Sequence, residues 1–453
     1  MRINRYTIHA KKAIKLAIPI VVAEAGTQLT HVVDAMMVGN VSALHLAAAS
    51  LANYIFLIPL LFAMGTTVAI TPLVGNANGK NDLEECKTIF SNAFFLQLGS
   101  AVIMTCLVLM IGFLIPLVDS DTEKTALAQS YFNYLALSTF PIILLFTMKC
   151  YFDGFGFTVY GMIAIIAGNI INVFLNWVFI FGNLGFPAMH LDGAGMTTLI
   201  VRFLQILIFL GLVFFTPKLR IRIEIPKWSK VTKDKIISFF KIGLNVGILN
   251  SVEIAAFSLI VIFAGWLGVT SAAAYQIAIS ITGIAYLSAL GVGSAATVLI
   301  STYKGARQIG NIVDGSFAVA WLTTIFMFLC SVVLISTRSI FPSFFVNEPE
   351  VIEIASVLIL MLAAFQIPDG LNVAFTRILR GLLDTKIPMI INSLAFWALM
   401  IPLAYLLAFK LNFGIIGIMS GVVTGILICC IAMFIRYRQV LKQYLVKLRI
   451  GDY

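Results

Sequence analysis

Twelve long apolar segments run along the chain, separated by short polar connections. They occupy residues 13–39, 47–74, 88–118, 126–151, 159–182, 193–216, 236–265, 271–302, 312–337, 351–378, 387–410 and 414–435. Each has the roughly 20 residues that an α-helix needs to cross the hydrocarbon core of a bilayer. The segments are continuously apolar rather than alternating, which argues against a transmembrane β-barrel. The pattern predicts an all-α integral membrane protein with twelve transmembrane helices.

Composition supports the membrane class and removes one alternative. Of the 453 residues, 60% are hydrophobic and 11% are charged, whereas soluble domains carry about 25% charged residues. The net charge of +10 would suit nucleic acid, but the basic residues stand in short connections and tails beside apolar segments. Membrane orientation is set by such residues, so the expected surroundings are membrane lipid and no nucleic-acid partner is expected.

The basic residues also predict an orientation. When the connections are assigned alternately to two sides, 26 of the 30 Lys and Arg residues fall on the side of the N-terminus. Three fall on the other side, and Arg202 is the only one placed deep within a segment. Because Lys and Arg concentrate in cytoplasmic loops, both termini are expected in the cytoplasm. The default location is the inner, or plasma, membrane of a bacterium.

The two halves of the chain resemble each other. Gly65 matches Gly293 at an offset of 228 residues, and GFGFT at 154–158 matches GLLDT at 381–385 at an offset of 227. Six spans per half is an even number, so both halves keep one orientation and the repeat is parallel. We therefore expect two six-helix bundles facing each other across a cleft. Such bundles suit transport by alternating access.

The break in the apolar rhythm sets the expected domain boundaries. A basic stretch lies near the middle of the chain, and basic residues follow the last apolar segment. The predicted parts are an N-terminal six-helix lobe at 1–216, a cytoplasmic basic linker at 217–235, a C-terminal six-helix lobe at 236–435 and a cytoplasmic tail at 436–453.

Polar side chains inside the first and fifth segments are candidates for ion binding. Asp34 lies in an apolar run, where a carboxylate costs about 2.5–3.5 kcal/mol on insertion scales and usually serves an ion, a proton or cargo. His31 shares its helix face, whereas Glu24 lies about 15 Å toward the cytoplasm. Asn172 and Asn176 share one face of the fifth segment. Their amides could bind Asp34 or simply hold helices together.

Two more carboxylates lie in the second half. Glu253 is in the seventh segment, and Asp369 follows Pro368 in the tenth. Proline lacks an amide hydrogen, so a carbonyl about one turn earlier loses its partner. The resulting oxygen-rich setting suits a hard cation, and Glu253 and Asp369 are candidate Na+ ligands. The positions equivalent to these carboxylates in the first half are Thr27 and Ile142, so the carboxylates do not repeat with the scaffold, which favours a functional role.

The reactive residue types show no enzymatic pattern. The six cysteines form no CxxC pair, and the four histidines are scattered without metal-ligand spacing. We expect no catalytic residue and no cofactor, and a transporter rather than a membrane enzyme. A simple channel suits the duplicated halves less well than a rocking transporter does.

Together these features resemble the multidrug and toxic compound extrusion family, in its NorM-like branch. The resemblance covers nearly the whole chain. It is carried by Pro19 followed by Asp34 in VDAMMVG, LAAAS at 46–50, Asn172 to Gly182, Glu253, Asp369 and RGLLDT at 380–385. It implies export of organic cations and other drugs by a monomer, driven by inward Na+ or H+.

The resemblance also implies roles for individual residues. Glu253 and Asp369 match the family's C-lobe cation site, and Asp34 matches its N-lobe carboxylate, with Asn172 and Asn176 beside it. The chain departs from the family at two positions. Phe365 stands where members with a sodium site often have tyrosine, and Asn176 stands where other branches carry aspartate.

One related transporter remains as an alternative. A flippase for lipid-linked saccharides can share a two-lobe bundle, but it would be expected to have a large cationic cavity for pyrophosphate. The membrane interior of this chain is expected to be net acidic, with Arg202 as its lone deep cation. A cation-coupled antiporter is therefore the preferred interpretation.

Overall fold

The computed structural model describes residues 2–117 and 121–450, and this part of the chain is built from helices. The α-helices are α1 (Arg2–Gly39), α2 (Ala43–Val68), α3 (Ile70–Gly79), α4 (Leu83–Gly112), α5 (Thr122–Gly154), α6 (Thr158–Phe181), α7 (His190–Phe215), α8 (Pro217–Arg220), α9 (Lys233–Trp266), α10 (Val269–Gly305), α11 (Ile309–Thr337), α12 (Ile340–Ser343), α13 (Pro349–Gly381), α14 (Lys386–Ser393), α15 (Ile401–Tyr405) and α16 (Gly414–Ile450).

Twelve of the helical stretches within the described residues are long and apolar enough to cross a membrane. Ten match single long helices, with α4 followed by a short 3-10 turn. The second stretch joins α2 to α3, and the eleventh joins α14 and α15 through two π-helical segments, at Leu394–Met400 and Leu406–Lys410. The prediction of twelve helical spans is confirmed.

Local sequence signals set several helix ends. Ser42 caps the N-terminus of α2 by accepting a hydrogen bond from the His45 amide, and Asp82 and Asp121 cap α4 and α5 in the same way. These side chains satisfy amides that have no partner within the helix. Gly182 ends α6 with a φ of 74°, a left-handed conformation that glycine adopts without a steric penalty.

The helices form two compact units. The N-terminal unit is Val22–Gly247, and the C-terminal unit is Met1–Val21 with Ile248–Tyr453. The units thus differ from the lobes drawn from the sequence, because the first part of α1 groups with the C-terminal unit and the first part of α9 with the N-terminal unit. The predicted tail is largely a continuation of α16, with its last three residues, 451–453, outside the described residues.

The predicted linker is an ordered strap on the N-terminal unit. The Asn92 amide nitrogen donates to the Lys230 carbonyl at 2.9 Å, and its oxygen accepts from the Thr232 amide at 2.9 Å. Tyr151 donates to the Arg222 carbonyl. The ammonium groups of Lys227 and Lys230, hydrogen-bonded to Glu224, lower the pKa of that carboxyl to about 2. These bonds fix the approach of the chain to α9.

Small residues bring α2 and the first part of α9 into close contact. A Cβ built on Gly65 would lie 2.4 Å from the Cα of Gly247, and one built on Gly243 would lie 2.5 Å from the Cα of Thr66. Gly243 and Gly247 form a GxxxG pattern, which allows membrane helices to approach backbone to backbone.

We predict that Gly65→Ala destabilises the protein. The added methyl group meets backbone rather than a movable side chain, so the expected cost is about 1–3 kcal/mol. Gly99→Ala in α4 is the matched control, because no atom lies within 4 Å of its Cβ position. Thermal unfolding in detergent should show a lower midpoint for Gly65→Ala and an unchanged or higher midpoint for Gly99→Ala. Equal midpoints would contradict the close approach.

Candidate functional site

In the N-terminal unit, Asp34 meets the two predicted asparagines. The Asn176 amide donates to the Asp34 carboxylate at 2.6 Å, and also to the Asn172 side-chain oxygen at 3.2 Å. Both asparagines are buried and Asp34 is half-buried. The Asn176 side-chain oxygen is buried without a hydrogen-bond partner. The three side chains therefore form a connected polar group with an acceptor to spare.

Small residues place the helices that carry this group. A Cβ on Gly26 of α1 would lie 2.4 Å from the Ile166 side chain of α6, and a Cβ on Gly168 of α6 would lie 2.3 Å from Gln205 of α7. Both positions need glycine for the helices to pack this closely. As a result, α1, α6 and α7 present their polar side chains to one another inside an otherwise apolar unit.

Two further side chains act on Asp34. Arg202 of α7 interacts electrostatically with Asp34 and with His31, and its guanidinium lies 3.4 Å from the Gln205 side-chain oxygen. Tyr131 of α5 is buried and also lies within electrostatic range of Asp34. The carboxylate thus has a cation in its surroundings and a neutral amide in direct contact.

The other two N-lobe candidates lie apart from this group. His31 is exposed and lines an open groove with Gln28 and Met36. Glu24 is within electrostatic range of Lys149, which forms a buried ion pair with Asp153 at 3.0 Å. Of the predicted N-lobe set, the structure brings together Asp34, Asn172 and Asn176.

In the C-terminal unit, Glu253 is bound by a residue that sequence analysis missed. The Tyr286 hydroxyl on α10 donates to the Glu253 carboxylate at 3.0 Å. Phe365, at the position where the resemblance leads one to look for a tyrosine, is buried and offers no oxygen. A phenol oxygen is therefore present near the carboxylates, but it comes from a different helix.

Asp369 lies near this pair. It is half-buried on α13 and interacts electrostatically with both Glu253 and Tyr286. Pro368 lies inside α13, and the Ser331 hydroxyl donates to the Ala363 carbonyl one turn earlier at 2.8 Å. The structure thus brings the two predicted C-lobe carboxylates into one electrostatic neighbourhood.

Glu253 also faces a small cavity. The cavity offers about 30 Å³ to the centres of water-sized molecules, which is enough for water or an ion and far below the few hundred Å³ typical of drug sites. Its polar lining consists of Asn250, Glu253, Tyr286, Asn372, Thr376, Arg377, Arg380 and Asn392. Asp369 is not among the lining residues, so Glu253 is the carboxylate that faces this space.

The two arginines of this cavity correct the expectation that Arg202 is the only deep cation. Sequence analysis placed Arg377 and Arg380 in a cytoplasmic connection, but both lie on α13, and Arg380 is 2% exposed. Lys149 was assigned to a connection in the same way and is buried on α5. The error arose because the helices continue past the last apolar residues, so that basic residues at segment ends fall within the fold.

A helical pattern could have revealed part of this lining. Asp369, Asn372, Thr376 and Arg380 follow one another at intervals of three or four residues, which places them on one face of α13. Tyr286 gives no such signal, because it is one of many aromatic residues in apolar segments. Its role depends on the packing of α10 against α9 and α13.

Neighbouring side chains orient the cavity. The Trp397 indole, in a π-helical segment, donates to the Val252 carbonyl at 3.1 Å and so contacts α9 beside Glu253. The Cys429 thiol lies 3.4 Å from the Asn372 side-chain oxygen and 3.2 Å from that of Asn392. Within the described residues, no group of three or more His, Cys, Asp or Glu side chains could hold a metal ion.

Comparison with protein families gives two matches to a single family model. The MatE model matches residues 19–178 and again residues 246–406. The two matched ranges begin 227 residues apart, which agrees with the offset of the internal repeat. Together they cover most of the chain.

Curated relatives are similar over nearly the full length. "Multidrug resistance protein NorM" of Photobacterium profundum is 27% identical over 407 residues, covering 89% of each chain. The protein of the same name from Aliivibrio fischeri is 27% identical over 432 residues, covering 93% of each.

Solved structures share the fold. A MATE structure in a bent conformation superposes with a TM-score of 0.89 at 18% identity, covering 98% of both chains. The eukaryotic MATE transporter AtDTX14 gives 0.86 at 19% identity, covering 97% of this chain and 99% of that one. A MOP superfamily transporter from Pyrococcus furiosus, with a binding pocket of reversed polarity, gives 0.87 at 19% identity and covers 96% of both chains. The two-lobe fold is therefore shared by proteins with different pockets.

We predict that Tyr286→Phe destabilises the C-terminal unit. It removes the hydroxyl donor of a half-buried carboxylate, and a hydrogen bond to a charged group contributes about 1.5–3 kcal/mol. Tyr275→Phe on the same helix is the control, because the Tyr275 hydroxyl is buried without a hydrogen-bond partner. Its removal should be neutral or stabilising. Thermal unfolding would argue against the Glu253 contact if both variants behaved alike.

Proposed function

Because the chain belongs to the MatE family and is a multidrug efflux transporter by its relatives, we propose that it is an antiporter that exports hydrophobic and cationic compounds in exchange for inward Na+ or H+. The coupling residues are Asp34, Glu253 and Asp369, supported by Asn172 and Asn176. Glu253 and Asp369 are the candidate Na+ ligands. The exchange proceeds by alternating access.

One observation carries this proposal. Each unit holds a carboxylate inside apolar spans, and a neutral donor contacts it directly: Asn176 for Asp34 and Tyr286 for Glu253. An ionisable group at such a place is expensive and is kept mainly in ion and proton pathways. A neutral donor supports the carboxylate without neutralising it permanently, so the group can still accept a proton or a cation.

Exchange follows if ion and cargo depend on the same carboxylates. A bound cation neutralises the negative charge that a cationic compound needs, so the two ligands oppose each other's binding. Such opposition is a negative coupling free energy between ligands and is reciprocal. An inward ion then promotes release of cargo, and cargo promotes release of the ion.

Charge bookkeeping decides which gradient drives export. Each elementary charge that crosses the membrane is worth about 2.3 kcal/mol per 100 mV. Exchange of one inward cation for one outward monocation moves no net charge, so only the ion gradient contributes. Exchange of two inward cations per monocation would let the membrane potential contribute as well.

The membrane arrangement belongs to the same proposal. The protein lies in the inner membrane with both termini in the cytoplasm, as the distribution of Lys and Arg favours. Removing the buried Lys149, Arg377 and Arg380 from that distribution leaves the imbalance strong, because the other basic residues stay in connections and in the extension of α16. Cargo is therefore moved out of the cytoplasm.

We predict that neutralising the coupling carboxylates abolishes gradient-driven export. Proteoliposomes containing the purified protein should expel a fluorescent organic cation when a Na+ gradient or a pH gradient is imposed separately. Asp34→Asn, Glu253→Gln and Asp369→Asn should each reduce the gradient-dependent rate about 5- to 150-fold, the range of typical coupling energies.

Exposed acids provide matched controls. Glu123→Gln in the N-terminal unit and Glu350→Gln in the C-terminal unit make the same kind of change at exposed positions and should leave export unchanged. If neither gradient drives export by the wild-type protein, antiport is the wrong mechanism. If export is gradient-driven and the three buried variants keep the wild-type rate, the assignment of coupling residues is wrong.

A further inference from the structure

The cavity beside Glu253 contains its own positive charges. Glu253, Arg377 and Arg380 all line it, and both guanidinium groups interact electrostatically with Glu253. Arginine stays protonated in proteins, so these charges are permanent. Together with Asp369 the neighbourhood holds two carboxylates and two guanidinium groups, and its formal charges cancel.

This balance changes what a Na+ ion meets. An ion that enters a purely acidic cavity gains the attraction of an unpaired carboxylate. An ion that enters this cavity meets the repulsion of two fixed cations at short range, in surroundings where charges are poorly screened. The cavity also has room for little more than one water-sized particle, so ion and guanidinium compete for the same small space.

The fold holds Arg377 in this place. A Cβ on Gly293 of α10 would lie 2.8 Å from the Arg377 Cγ, so the glycine leaves room for the arginine side chain to pass. The Thr297 hydroxyl, also on α10, donates to the Arg377 carbonyl at 2.9 Å. Two contacts from one helix thus fix both the backbone and the stem of this arginine.

We propose that Arg377 and Arg380 determine ion selectivity, acting as tethered counter-cations of Glu253 that lower the affinity of the C-terminal unit for Na+. Removing one guanidinium opens the cavity to Na+. This inference rests on the proposed function, because it assigns a role to two further residues at the coupling site. It differs from a purely structural role, which predicts only loss of stability and no gain of ion binding.

The test measures Na+ binding through thermal stability. Purified wild-type protein and Arg377→Gln are titrated with NaCl against choline chloride at constant ionic strength, and the unfolding midpoint is followed, since a ligand that binds the folded state raises it. Arg377→Gln should reach half of its stabilisation at a Na+ concentration about tenfold lower than the wild type, or lower still. Equal concentrations for the two proteins overturn the proposal.

Three further variants separate charge from packing. Arg377→Lys keeps the positive charge and should respond to Na+ as the wild type does. Arg377→Gln combined with Glu253→Gln should lose the gained response, because the carboxylate that attracts Na+ is gone. Arg438→Gln makes the same change at an exposed position of α16 and should match the wild type. A gained response in Arg438→Gln, or one that survives the loss of Glu253, counts against the proposal.

A folding defect does not remove the test. If Arg377→Gln fails to fold, Arg380→Gln is measured in the same way, and an unchanged Na+ response in that variant overturns the proposal. Drug export by the wild-type protein is measured separately in proteoliposomes. Absence of gradient-driven export there contradicts the proposed antiport, whereas an unshifted Na+ response contradicts only the role of the arginines.

Discussion

Carboxylates held inside apolar helices are the constraint on which the rest of this structure depends. A membrane helix cannot leave such a group facing lipid without a large energetic cost, so the fold must supply polar partners from neighbouring helices. Asp34 obtains them from Asn176, and Glu253 from Tyr286. The close approach of helices at Gly26 and Gly168 follows from the same need, because a partner on another helix reaches the carboxylate only if the two helices pack tightly.

The parts of the fold that depend on hydrophobic length were predictable from the sequence. A span must exceed a fixed thickness of hydrocarbon, so the twelve helices can be counted from apolar segments. The pairing of Asp34 with Asn176 was within reach because asparagines spaced by four residues share a helix face. The helix ends were less predictable. Lys149 and Arg380 lie past the last apolar residues of their segments, yet both are buried.

The remaining site residues depend on which helices meet, and that information is not local. Tyr286 was not identified because nothing in its own segment distinguishes it from lipid-facing aromatic residues. Trp397 and Cys429 support the site by contacts across more than 50 residues of chain, to Val252 and Asn372. Sequence periodicity describes the face of a helix, but the partner of that face is set by packing.

The internal repeat sharpens the case for a specialised C-terminal unit. At the 227-residue offset that aligns Gly154 with Gly381, Arg377 and Arg380 correspond to Cys150 and Asp153. In the N-terminal unit Asp153 pairs with Lys149 on its own helix, whereas in the C-terminal unit the equivalent position carries a cation that faces Glu253 across a cavity. A duplicated scaffold requires similar helices and glycines in both halves, but it does not require opposite charges at one position. Because the charge reverses while the backbone pattern persists, the arginines are better explained by what the cavity binds than by what the fold needs.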